Sequence, residues 1–152
     1  LVVMTPKSLL RHPLCVSNAA DFTNGQFQEL INDKNADPKK VKRVLFCTGK
    51  IYYELLAKQE AENRSDIAIV RVEQLYPLPE TQMKAVFEQF KNAEFAWVQE
   101  EPRNMGTWMH LGRYDFPVAL KYIGRKSSAS PATGFKKTHD KEQEAILNEA
   151  FA

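Results

Sequence analysis

Residues 98–116, VQEEPRNMGTWMHLGRYDF, gather the kinds of side chain from which small active sites are made: the adjacent carboxylates Glu100 and Glu101, then Arg103, Asn104, Trp108 and His110. Paired carboxylates can act as acid and base in glycoside hydrolysis when both reach the same bond. Here Glu100 and Glu101 are consecutive at the end of the apolar run FAWV, which reads as a strand, and consecutive strand side chains leave opposite faces. The pair diverges, so shared chemistry is not expected. A carboxylate in such a place more commonly accepts N–H bonds from a neighbouring loop or pairs with an arginine across an interface. Pro102, Asn104 and Gly106 supply a turn, and Trp108 offers area for packing. The expectation is therefore a loop-fixing or interface role for Glu100, Glu101, Asn104 and Trp108, with Trp108 mostly buried.

Other constellations are sparser. CTGK, residues 47–50, is a strand-to-helix turn where helix N–H groups and Lys50 could face an anion. It lacks GxGxxG and GxxxxGK[ST], and a single glycine at a strand end is mostly a turn requirement. In TPKSLLRHP, Lys7 and Arg11 stand four apart, so a helical turn would aim both at one anion; the bland alternative is two solvated basic side chains. His12, His110 and His139 are scattered without metal-ligand spacing, and no GxSxG elbow presents a serine nucleophile. No catalytic set and no metal site is expected.

The elements that must position these residues alternate. VKRVLFCTG, DIAIVRVEQL, AEFAWVQEE and ALKYIG read as strands; KIYYELLAKQEAEN, PETQMKAVFEQFKN and THDKEQEAILNEAFA read as helices. Pro79 falls near a first helical turn, Thr138 is the N-cap candidate of the last helix, and a short helix is expected around Thr107 to Arg113. This order predicts an α/β sandwich with a mostly parallel sheet. Before it, LVVMTPKSLLRHP reads as a strand and a helical turn, NGQFQELIND as a strand at the sheet edge, and NDKNADPKK as a surface loop. The 152 residues suit one domain, and an apolar run at position 1 with no methionine before it suggests a piece of a longer chain. A formal charge of +2 argues against nucleic-acid binding, and no apolar run approaches the roughly 20 residues of a membrane span. Cys15 and Cys47 are too few for a disulfide framework, which suggests a reducing compartment, with Cys47 a buried thiol in VLFC.

In order along the chain, VVMTPKSLLRHP, VKRVLFCTGKIYYELL, DIAIVRVEQLYPLP, WVQEEPRNMGTW, YIGRKSSASPATG and KKTHDKEQEAILNEAF resemble the signature blocks of the C-terminal domain of the 2-oxoglutarate dehydrogenase family. One departure is Met105, where the family usually has glutamine. The resemblance implies a transketolase-like C-terminal fold: a three-layer αβα sandwich whose mostly parallel sheet has one antiparallel edge strand. It implies an enzyme that decarboxylates 2-oxoglutarate on thiamine diphosphate and Mg²⁺ bound by other domains, then transfers a succinyl unit to the lipoyl group of a succinyltransferase component. A homodimer is implied, with this segment non-catalytic. The family's regulatory nucleotides, AMP or acetyl-CoA, make Lys7, Arg11 and Lys50 candidate phosphate contacts. The wording EEPRNMGTW is nearer bacterial members, which favours a bacterial cytoplasm over a mitochondrial matrix. The competing expectation is a free-standing nucleotide-binding or adaptor module of the same fold.

Overall fold

The computed structural model describes residues 2–152. Five strands form one sheet: β1 (Leu30–Ile31), β2 (Arg43–Cys47), β3 (Ile67–Val72), β4 (Glu94–Pro102) and β5 (Leu120–Arg125), in the spatial order β1-β3-β2-β4-β5. β2, β3, β4 and β5 run parallel, and β1 pairs antiparallel with β3 at one edge.

The alternation of side chains along the strands decides the layers. In β2, Val44 and Phe46 face the cluster built on Met83, Val86, Phe87 and Phe90, from helix α3 (Glu80–Gln89) and its C-cap, while Leu45 and Cys47 face the opposite cluster. That second cluster is closed by Ile51 and Leu55 of α2 (Ile51–Ala61) and by Ile146, Ala150 and Phe151 of α5 (Lys136–Phe151). One helix on one face and two on the other make the three-layer sandwich. Burial of Phe46, Trp97, Leu45 and Leu55, each 0 % exposed, stabilises it by roughly 1.5–3 kcal/mol per side chain. Cys47 is likewise buried, and desolvation pushes its thiol up to about 12, with Arg71 partly offsetting the effect.

Four local expectations are corrected. Of the strand expected at the start, Leu1 lies outside the described residues; Val2, Val3 and Met4 form no strand and are 86 %, 71 % and 90 % exposed. A strand needs a hydrogen-bonding neighbour, and the described residues of this segment have none. NGQFQELIND contributes only the two residues of β1, which pair with Val72 and Arg71. Upstream of it an unanticipated short helix, α1 (Ala19–Thr23), starts where the Asp21 carboxylate accepts the Asn18 N–H at 2.9 Å. Thr138 is not an N-cap. The helix begins at Lys136 with Phe135 as cap, because the His139 N–H already bonds the Phe135 carbonyl at 2.9 Å. The helix expected around Thr107 to Arg113 is shorter, α4 (Trp108–Leu111), with Thr107 as its cap.

Candidate functional site

The carboxyl ends of the parallel strands gather the loops of interest, and one residue organises them. Gln99 is 2 % exposed on the face of β4 shared with Trp97. Its Oε1 accepts the Trp97 indole N–H at 3.0 Å and the Trp108 backbone N–H at 2.9 Å. Its Nε2 donates to the Met105 carbonyl at 2.8 Å and lies 3.3 Å from the carbonyls of Glu101 and Pro102. The side-chain amide thus closes the turn 101–106 onto the strand that leads into it. Gly106 completes the turn with φ +66°, and a Cβ there would stand 3.0 Å from Gln99 Nε2. Gly124 on neighbouring β5 is tighter still: a Cβ would sit 2.8 Å from the Gln99 carbonyl and against the Tyr122 hydroxyl.

Glu100 leaves β4 on the other face. Its carboxylate takes the Lys50 ammonium in a short ion pair and accepts the Gln143 amide at 3.1 Å. Glu54 joins from α2, with Lys50 at 3.3 Å and Gln143 Nε2 at 2.9 Å. Burial works against the Lys50 charge, but the hydrogen bond and charge of Glu100, together with Glu54, outweigh it and raise the ammonium above its ordinary value. This network clamps α2, β4 and α5 together. Its cation is a lysine and its amide a glutamine side chain, where an arginine or backbone N–H groups were expected.

Glu101 diverges from Glu100 as the strand pattern requires. Its side chain is exposed, and its backbone carbonyl lies 3.2 Å from the Tyr122 hydroxyl, whose single proton goes to the Arg125 carbonyl at 2.6 Å. Asn104 ties the loop after β4 to the loop after β5: Nδ2 donates to the Ser128 carbonyl at 2.9 Å and Oδ1 accepts the Ser128 N–H at 3.0 Å. Trp108 is half-buried, packed 5.2 Å from the Tyr122 ring. Burial pushes the Tyr122 hydroxyl up to about 12, against the pull of Arg103.

The three basic residues considered for an anion are not brought together by a common helical face. Lys7 opens a 3₁₀ turn, Lys7–Leu9, in which residues three apart align, so Lys7 and Arg11 lose the i, i+4 stacking that an α-helix would give. Both are exposed, while Lys50 is engaged by Glu54 and Glu100. The histidines are equally separate. His12 packs 4.9 Å from the Tyr53 ring, His110 lies 3.3 Å from the Tyr114 hydroxyl, and His139 Nδ1 faces Arg125 Nη2 at 2.9 Å. Among the described residues, no three His, Cys, Asp or Glu side chains converge as metal ligands.

Sequence reasoning named the neighbours of Gln99 and passed over Gln99 itself. The available signal was a polar residue continuing the buried-face alternation of Trp97. The position implied an interior amide with every donor and acceptor to satisfy.

A family model described as 2-oxoglutarate dehydrogenase C-terminal matches residues 16–151. The chain belongs to this family. It is 44 % identical over 160 residues to a 2-oxoglutarate dehydrogenase E1 component of Haemophilus influenzae, covering 100 % of the chain and 17 % of the relative. An E1 component of Azotobacter vinelandii is also 44 % identical, over 99 % of the chain and 17 % of its own length. A multifunctional 2-oxoglutarate metabolism enzyme of a Mycobacterium species is 42 % identical over 100 % of the chain and 13 % of its length. The chain therefore spans about a sixth of the E1 relatives it matches.

The contact that fixes the loop uses the Met105 carbonyl, which any side chain leaves in place. The family's coenzyme does not fit the residues gathered at this edge. A diphosphate with its divalent ion needs free carboxylate and carbonyl oxygens directed at one point. Instead Glu100 is held by Lys50 and Gln143, and the Glu101 carbonyl lies 3.3 Å from Gln99 Nε2.

Proposed function

We propose that the chain serves as the C-terminal domain of the decarboxylating component of 2-oxoglutarate dehydrogenase, and that it positions other parts of the enzyme without contributing a reacting group. The whole enzyme would oxidatively decarboxylate 2-oxoglutarate on thiamine diphosphate and Mg²⁺ held by other domains. The succinyl unit would pass to a lipoyl group of the succinyltransferase component, in a bacterial cytoplasm. The observation that carries this reading is the family match over residues 16–151, joined to a carboxyl edge where Gln99, Glu100 and Asn104 are engaged by neighbouring groups. Such an edge suits a rigid wall against neighbouring domains or a second subunit. Glu100, Asn104 and Trp108 act within it by fixing loops, and the outer face of Glu101 and Arg103 is left for contact.

Regulation by AMP or acetyl-CoA through Lys7 and Arg11 belongs to the same proposal. It is supported by their exposure on a segment that His12 holds against Tyr53 of α2. Lys50 stays in this role only if ligand binding releases it from Glu100.

The test compares CO₂ release from 2-oxoglutarate, with thiamine diphosphate and Mg²⁺ supplied, by the full-length protein and by residues 1–152 alone. Turnover by the full-length protein and none by the segment is expected. Enzyme-like turnover by the segment refutes the scaffold role, and none by either refutes the enzyme assignment. Titration with AMP or acetyl-CoA of the full-length protein and its Lys7→Ala/Arg11→Ala variant tests the regulatory part. Unchanged affinity in the variant rejects it.

A further inference from the structure

Between the loop after β5 and the first turns of α5 lies an open cavity of about 890 Å³. Its polar lining includes the hydroxyls of Ser127, Ser130 and Thr138, three cations (Arg125, Lys126 and Lys141) and two carboxylates (Glu142 and Glu149). None of Lys7, Arg11 or Lys50 borders it.

Arg125 is the informative residue. Its side chain is only 9 % exposed, which is costly for a permanent cation unless its donors are used. Nη2 is used, at 2.9 Å from His139 Nδ1 and 3.3 Å from Gln143 Oε1. Nε is buried and makes no hydrogen bond. The Glu142 carboxylate lies 3.2 Å from it, close enough to be attracted but out of line with the N–H. Buried donors nearly always find a well-aligned acceptor, and this one has only the misaligned Glu142 carboxylate, so an acceptor entering from the cavity could satisfy it better.

Two further features agree on the sign of that acceptor. The 16-residue helix α5 opens with no side-chain cap and no acid in its first turn, so its positive end is uncompensated where Thr138 meets the cavity. Glu142 is the movable part: its side chain is 41 % exposed, and its Oε2 accepts the Thr133 hydroxyl at 2.7 Å. A carboxylate so exposed can rotate into solvent, provided an incoming anion takes its place beside Arg125 Nε and the Thr133 hydroxyl.

We propose that this cavity binds the phosphoryl group of a small phosphorylated molecule, with Arg125 Nε and the Thr133 hydroxyl as inner donors, Lys126 and Lys141 at the mouth, and Glu142 as the internal occupant it displaces. A tetrahedral oxyanion suits donors that approach from several directions, as the loop hydroxyls, the guanidinium and the helix start do here.

The test uses the full-length protein, titrated calorimetrically with inorganic phosphate at fixed ionic strength, beside Arg125→Gln and Glu142→Gln variants and a parallel titration with succinate. Any other phosphate site gives a background that neither substitution moves. Arg125→Gln should weaken the cavity's phosphate binding at least about tenfold, because a charge-assisted bond is lost. Glu142→Gln should tighten it several-fold, because the competing charge is gone. That opposite pair of changes is not expected if Arg125 and Glu142 merely brace the loop. Absence of a phosphate site sensitive to either residue, or succinate binding as tightly as phosphate, overturns the proposal. Should circular dichroism show that Arg125→Gln does not fold, Glu142→Gln and Lys141→Gln decide: no tightening in the first and no weakening in the second overturns it equally.

Discussion

Replacing Gln99 with alanine should be the most damaging single change at the carboxyl edge. The amide makes three well-formed hydrogen bonds, to Trp97 Nε1 at 3.0 Å, to the Trp108 N–H at 2.9 Å and to the Met105 carbonyl at 2.8 Å. Truncation orphans the Trp97 indole N–H, in a residue that is 0 % exposed, at about 1–3 kcal/mol. The Trp108 and Met105 groups are part-buried and can turn toward water, so each adds only about 0.5–1.5 kcal/mol. Together these give a loss of roughly 2–6 kcal/mol, a large share of the 5–15 kcal/mol typical of a folded domain. In a chain of this size that is a fall in melting temperature of about 4–24 °C. Urea unfolding of residues 1–152, followed by Trp97 and Trp108 fluorescence, measures it, with far-ultraviolet circular dichroism to confirm folding. Asn104→Ala is the control, because its two bonds to Ser128 are exposed and their loss should cost under about 1 kcal/mol. If Gln99→Ala unfolds within 1 kcal/mol of wild type, or if Asn104→Ala proves the costlier change, the organising role of Gln99 is wrong.

Gly106→Ala should cost about 1–2 kcal/mol from its positive φ alone, and Gly124→Ala more, because its Cβ would meet the Gln99 backbone carbonyl; the same urea midpoints rank them. Native protein at pH 8 should release one thiol equivalent to Ellman's reagent, from exposed Cys15, and a second only when unfolded, because Cys47 is buried with its thiol pushed up to about 12. Alkaline stability follows from the same direction of shift. Cys47, Tyr53 and Tyr122, ordinarily at 9.0 or 10.0, all stand at about 12 in the folded chain, so the folded state holds these protons more tightly than the unfolded state. Their contribution is complete below the ordinary values and is lost as pH rises through 10 toward 12; urea midpoints at pH 8, 10 and 11 should fall in that order, and a flat profile contradicts the assignment. Lys50→Met should destabilise by about 1–2 kcal/mol, between the surface and buried limits, since Lys50 and Glu100 are 33 % and 20 % exposed. A Glu100→Gln background should remove most of that cost in a double-mutant cycle.

The sequence by itself determined the sandwich. Strands such as VLFC and IAIV are apolar on both faces, which only a sheet covered on both sides can bury, and the helices between them carry their own periodicity. It also determined that Glu100 and Glu101 diverge, because a strand alternates whatever surrounds it. Tertiary structure alone decided what those residues meet. Lys50, Glu54 and Gln143 lie 50, 46 and 43 positions from Glu100, and only the packing of α2 and α5 on the same face of the sheet makes them one network. The N-terminal residues show the converse. Val2 and Val3 carry strand propensity, but propensity without a pairing partner leaves them exposed. Gln99 and Arg125 fall between the two cases. Their side chains were legible as polar groups at strand ends, but which donors stay satisfied and which is left open depends on distances that only the folded loops fix.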